Sequence, residues 1–139
     1  MVAYNKFYAF VQDIAQGVHN LSTNALQYAL TPTANPPVAT NSILSNITQI
    51  ANYTNMSSRI PTIASCTQTG GILKLMINNL TITQSTTASL PFQFVVLYNA
   101  TPANGNLISW WDYGSAVTLQ AGDTFAVQPD QTNGILQIQ

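Results

Sequence analysis

The chain has 139 residues, and only 5% of them are charged: Lys6, Arg59 and Lys74 against Asp13, Asp112, Asp123 and Asp130, with no glutamate. Soluble domains usually carry about 25% charge, so wetting falls here to Asn, Gln, Thr and Ser, whose side chains compete for backbone hydrogen bonds and disfavour helix interiors. Three scattered cations argue against binding to a phosphate backbone, one histidine and one cysteine argue against a metal cluster or an internal disulfide, and no apolar run approaches the ~18–20 residues that cross a bilayer.

A single, mainly β domain with one core is expected. In chain order, Phe7, Phe10, Val11, Ile14 and Val18 recur at spacings of three and four. That pattern predicts an amphipathic helix over residues 6–19, with Asn5 capping its first turn and Gly17 and Asn20 weakening its end. His19 then falls in the last turn, where the helix's partial negative charge favours the protonated ring. Leu26, Tyr28 and Leu30 alternate in ALQYALT and predict a strand over 25–31. Pro32, Pro36 and Pro37 follow, and the Pro36-Pro37 pair forces an extended path outside any ladder.

Residues 41–58 alternate weakly and are rich in Asn and Ser, which suits a short helical turn or an irregular excursion. Beyond them RIPTIASCTQT, GILKLMINNLTITQ, LPFQFVVLYNA, NLISWWDY, SAVTLQ, DTFAVQ and GILQIQ read as strands. Gly70-Gly71, Asn78-Asn79, residues 101–106 and Asn133-Gly134 supply the positive-φ positions that hairpins demand. The expectation is an antiparallel β-sandwich or barrel with one N-terminal helix. Its single domain, 1–139, divides into a helical 1–20, a strand plus Pro/Asn-rich extended segment over 21–60, and a β-rich body over 61–139.

In NLISWWDY strict alternation places Leu107, Ser109, Trp111 and Tyr113 on one face and Ile108, Trp110 and Asp112 on the other. Adjacent tryptophans then point in opposite directions, one into the core and one onto an outer face, and cannot form a shared sugar platform. Val117 and Leu119, the turn Gln120–Asp123, and Phe125 and Val127 predict a hairpin with four apolar residues facing one core. Asp112 and Asp123 are the only carboxylates placed to pair for acid–base work. Asp123 follows a turn glycine, where its side chain accepts backbone N–H bonds instead. Cys66 reads as a small buried hydrophobe, since no base is oriented toward it. No phosphate-cradling motif occurs, so no enzyme activity and no cofactor are expected. The start MVAYNKFYAF lacks the basic and apolar regions of a signal peptide.

The order YNKFYAFVQDIAQGVHNL, ALQYALTPT…PPVATNSILSNITQIA, FQFVVLYN and LISWWDYGSAVTLQAGDTFAV resembles a group of small tailed-bacteriophage virion proteins. Those proteins open on an F-x-x-F-V-x-D helix and close on a W-x-D-Y-G-S…GDTF hairpin, and the likeness spans nearly the whole chain. Within the group the chain is most similar to auxiliary capsid proteins, the cement or decoration proteins of the shell. The resemblance implies a β-rich body without an active site and terminal segments lying across neighbouring subunits. The partners implied are the major capsid protein and further copies of the chain, as dimer or trimer, with assembly in the host cytoplasm and residence on the capsid surface. Candidate contact residues are Phe7, Phe10, Val11, Ile14, Pro36, Pro37 and Trp110. A neck, tail or fibre component is the alternative, and a carbohydrate-binding or glycan-cleaving protein using Trp110 or Trp111 with Asp112 is a further one.

Overall fold

A computed structural model describes residues 3–139. The elements are β1 (Asn5–Lys6), α1 (Tyr8–Ala15), β2 (Leu26–Thr31), a 3-10 turn (Leu44–Asn46), β3 (Ile63–Thr69), β4 (Ile72–Ile77), β5 (Leu80–Thr83), β6 (Phe92–Asn99), β7 (Asn106–Val117), β8 (Thr124–Val127) and β9 (Leu136–Ile138). They form three antiparallel sheets, ordered β1-β7-β6-β2, β3-β4-β9 and β5-β8. The main core joins Tyr28, Leu30, Val95, Leu97 and Ile108 of the four-stranded sheet to Leu75, Ile77 and Leu136 of the three-stranded one. This is a mainly β, sandwich-like arrangement with one helix, as the turn spacing led us to expect.

The intervening residues Ala29, Val96 and Tyr98 belong to a second apolar cluster with Phe7 and Leu107, roofed by Leu44, Ile47 and Trp110. The four-stranded sheet is therefore covered on both faces. That double burial explains why β6 reads as the near-continuous apolar run FVVLY instead of alternating with polar residues. The segment over 41–58 is irregular because it has this second face and a sheet edge to cover. On the outward edge of β2, the Ile50 N–H donates to the Leu30 carbonyl at 2.9 Å and the Leu30 N–H donates to Tyr53 Oη at 3.1 Å. One residue pair further along, the Tyr28 N–H donates to the Arg59 carbonyl at 2.9 Å, and Arg59 Nη1 donates back to the Tyr28 carbonyl. The guanidinium lies 3.4 Å from the centre of the Tyr53 ring. A stretch without regular structure thus seals an edge that would otherwise offer unpaired backbone groups.

Three sequence expectations are corrected. The helix covers Tyr8–Ala15 and not 6–19: Phe7 is extended, with φ −74° and ψ 142°, no side chain caps the first turn, and Gly17 at φ 73° ends the coil. Asn5, expected as the cap, lies in β1 opposite Trp110. Second, the 120–123 turn forms, with the Asp123 N–H donating to the Gln120 carbonyl at 3.0 Å, but its arms do not pair with each other. β8 pairs with β5, and Phe92 takes the place opposite Val117. Leu119 is nevertheless buried, and Val117, Phe125 and Val127 pack on the main core as expected.

Third, strict alternation fails in β7. Leu97 pairs with Ser109 but Tyr98 pairs with Leu107, so Ile108 is an extra residue, a β-bulge. Side-chain parity shifts at that point: Leu107 and Trp110 join the second cluster, while Ile108 and Trp111 join the main core. A wider bulge lies between the pairs Phe94–Asp112 and Phe92–Val117, where Tyr113–Ala116 loop out to solvent around Gly114 at φ 90°.

Candidate functional site

The N-terminal arm crosses the sheet edge and divides its apolar residues between two cores. Phe7 is fully buried in the second cluster, its ring 4.5 Å from that of Trp110, and Phe10 is buried in the main one. Ile14 is half-buried against the main core, and Val18 is likewise half-buried just beyond the helix. Val11 differs: it is 54% exposed, so within the single chain the apolar face is only partly covered. The reason is local: with Phe7 outside the helix the inward face centres on Phe10 and Ile14, which leaves Val11 on its flank and Tyr8 nearly opposite. Pro37 is buried and Pro36 is exposed. Of the predicted contact residues, Phe7, Phe10 and Pro37 are therefore spent on the protein's own interior, and Ile14 and Trp110 are half spent.

What remains free is a small apolar surface. Tyr8 (67% exposed) and Val11 stand three residues apart on one helix face. The Tyr8 N–H donates to the Ala39 carbonyl at 2.9 Å, which brings Val38 (51% exposed) and the neighbouring Pro36 beside that face. No charged residue occurs in 32–41, so this patch offers apolar area, neutral backbone groups and the Tyr8 hydroxyl.

A second feature is an apolar groove of about 550 Å³ lined by Tyr4, Trp111, Tyr113, Phe125, Val127 and Ile135. The rings meet edge to face, Tyr4 on Trp111 at 5.9 Å and Tyr113 on Phe125 at 5.5 Å. Trp110 and Trp111 are both half-buried and belong to different clusters, so they point apart as expected, although neither enters a core completely. Asp112 Oδ1 accepts from Gln93 Nε2 at 2.8 Å and from the Gly114 N–H at 2.7 Å, which holds the wide bulge in shape. Asp123 Oδ2 accepts from the Gln120 N–H at 2.8 Å, the turn role read for it.

The third feature is a buried polar network that residue patterns did not reveal. His19 was expected at a helix end and protonated, but its side chain is fully buried, with Nδ1 3.1 Å from Asn99 Nδ2 and Nε2 3.7 Å from Asp13 Oδ2. Asn99 Oδ1 accepts from the Thr101 N–H at 3.0 Å, and its amide group also donates to Asn24 Oδ1 at 2.7 Å. The NH₂ of Asn99 therefore faces Nδ1, which must accept, and the ring proton sits on Nε2 toward Asp13. Burial lowers the His19 pKa, with Asp13 pulling weakly the other way. Asp13 Oδ2 also accepts from Asn106 Nδ2 at 2.8 Å, so the network ties the helix to β6, β7 and the 20–24 loop. The neutral His19 ring and the Asp13 carboxylate together latch the N-terminal arm, and the signal that could have flagged them was a lone histidine followed by Asn20 and Asn24.

Among the described residues no group of three or more His, Cys, Asp or Glu side chains is placed to hold a metal ion. Cys66 is half-buried, and burial pushes its thiol pKa up. No helix among the described residues is long and apolar enough to cross a membrane. Comparison with protein-family models, curated proteins and solved structures finds no match to this chain.

Proposed function

We propose that the chain is a structural virion protein of a tailed bacteriophage that binds the outer face of the capsid and stabilises contacts between major capsid protein subunits. The observation that carries this reading is the uncharged apolar surface of Tyr8, Val11, Pro36 and Val38, presented by the arm and the Pro-containing segment. It joins the full-length resemblance to virion proteins and supports attachment by area and neutral hydrogen bonds, without the several kcal/mol that each buried ion costs. Repetition around a symmetric shell multiplies such weak contacts.

Copy counting in purified particles of the encoding virus tests the reading. Density for the chain across the whole shell supports it, whereas a copy number matching a single ring at the vertex indicates a neck or tail component. Attachment is expected to survive 1 M NaCl, where the Debye length falls from about 10 Å at 0.1 M to about 3 Å. Release by salt with the fold intact overturns the apolar interface. The aromatic groove supports a second reading, glycan binding, in which Tyr113→Ala, at a 53% exposed ring of the groove, abolishes binding on a glycan array in a folded protein.

A further inference from the structure

The strand edges of this protein are treated unequally. β2 is sealed by residues 50–59, β1 has two residues, β9 three and β8 four, and the Ser57 N–H donates to the Thr83 carbonyl at 2.8 Å to cover the end of β5. β3 is different. It is seven residues long and pairs only with β4. Among the described residues no backbone or side-chain group from elsewhere in the chain bonds to its outer edge. Its one protection is a bulge at the start of the strand, where Ala64 is an extra residue between the pairs of Ile63 and Ser65; from Ser65 to Thr69 the register is regular, with no charge and no proline.

The hairpin geometry fixes which residues offer that edge. Gly70 and Gly71 have φ of 61° and 87°, a two-residue primed turn, and Thr69 pairs directly with Ile72. The residues flanking such a turn exchange both hydrogen bonds, and every second residue outward does the same. Thr69, Thr67 and Ser65 thus point their backbone groups inward to β4. Gln68 and Cys66 point theirs outward, to nothing in this chain. Cys66 lies against the main core, so Ser65 and Thr67, which alternate with it, stand on the other face of the sheet.

We propose that β3 pairs with β3 of a second copy, antiparallel about a two-fold axis through Cys66, to make a continuous sheet ordered β9-β4-β3-β3-β4-β9. Self-pairing fits this strand for three reasons. A two-fold through Cys66 sets Cys66 opposite Cys66, with outward N–H and C=O groups that exchange both bonds. It sets Ser65 opposite Thr67 twice, hydroxyl pairs that favour each other across strands, and places no like charges together. The contact is isologous and closes at two copies, so an open edge gives a finite dimer and not a fibre. The inference does not rest on the virion reading and applies to the isolated chain.

The test is the mass in solution of the full chain under reducing conditions across a concentration series. The wild type is expected to approach twice its 15.0 kDa. Ser65→Lys with Thr67→Lys sets lysine opposite lysine twice and is expected to give a folded monomer. Ser65→Asp with Thr67→Lys sets aspartate opposite lysine twice and is expected to restore the dimer. A wild type that stays monomeric, a dimer indifferent to the double lysine, or a charge swap that fails to restore pairing in a folded protein overturns the proposal. Amide exchange of the wild type decides the matter if the variants do not fold. The Cys66 and Gln68 N–H groups are expected to become protected as the chain concentration rises, and exchange independent of concentration overturns the proposal.

Discussion

Arg59→Met removes the clip from the β2 edge while keeping an unbranched side chain of similar length. The guanidinium donates to the Tyr28 carbonyl and stacks 3.4 Å from the Tyr53 ring centre. A hydrogen bond from a charged group contributes about 1.5–3 kcal/mol. A half-exposed cation–π contact adds about 0.5–1 kcal/mol. The expected loss is therefore about 2–4 kcal/mol. For a chain of this size that lowers Tm by roughly 8–16 °C, at about 4 °C per kcal/mol. Urea unfolding at neutral pH measures it directly. Arg59→Lys keeps the charge but not the planar fork and is expected to recover less than half of the loss. Because the Tyr28 carbonyl then faces solvent on an edge strand, Arg59→Met is also expected to raise light scattering on warming. A stability change below about 1 kcal/mol would refute the reasoning and leave the backbone pairing of Arg59 as the whole seal.

Gly134→Ala meets two obstacles, φ 82° and a Cβ only 2.6 Å from the Leu75 carbonyl oxygen that accepts the Ile135 N–H, whereas Gly122→Ala at φ 90° meets no atom within 4 Å. Strained backbone alone costs about 1–3 kcal/mol, so Gly134→Ala is expected to exceed Gly122→Ala in an unfolding titration, and equal costs would discount the contact. The neutral His19 latch sets a pH dependence: the unfolded ring takes up its proton near 6.5 and the folded one only at lower pH. Unfolding therefore binds a proton in that window and stability falls from pH 7 to pH 5. With one histidine and no glutamate in the chain, His19→Gln is expected to flatten that slope. Phe10→Asp buries a charge in the main core and is expected to cost more than about 4 kcal/mol, while Val11→Asp on the exposed face is expected to leave Tm within about 2 °C and abolish capsid attachment.

The strands were legible because Leu26, Tyr28 and Leu30, or Phe125 and Val127, alternate visibly and are bounded by turn residues. The helix was read too long because Phe7 and Val18 continue its periodicity, although Phe7 is buried from an extended backbone and Gly17 has already ended the coil. The pairing of β8 with β5 was not legible. The turn at 120–123 is genuine, but a partner far back along the chain leaves no trace in local pattern. Single-residue bulges are equally silent, and Ile108 reversed the expected grouping of Leu107 with Trp111. Val11 and Pro36 are exposed while Phe7, Phe10 and Pro37 are buried in the chain's own interior, because apolar periodicity reports burial without saying whose interior is filled.

The pairing of Asn5 with Trp110 spans 105 residues of chain, and at about 5–20 residues per second the ribosome takes roughly 5–20 s to supply the second partner after the first. β2 waits about two-thirds as long for β6. During synthesis the β3–β4 hairpin, closed by two glycines, is complete well before β7, on which the first strand and the helix dock, has been made. The N-terminal arm is thus made long before it can be locked, and Phe7 lacks its Trp110 and Leu107 neighbours in the interval. Topologies dominated by such distant pairings fold slowly, in milliseconds to seconds. Pulsed hydrogen exchange during refolding is expected to find the β6–β7 amides protected before the Phe7 and Tyr8 N–H groups, which bond to the Ile108 and Ala39 carbonyls. Simultaneous protection would mean that the arm is part of the folding nucleus.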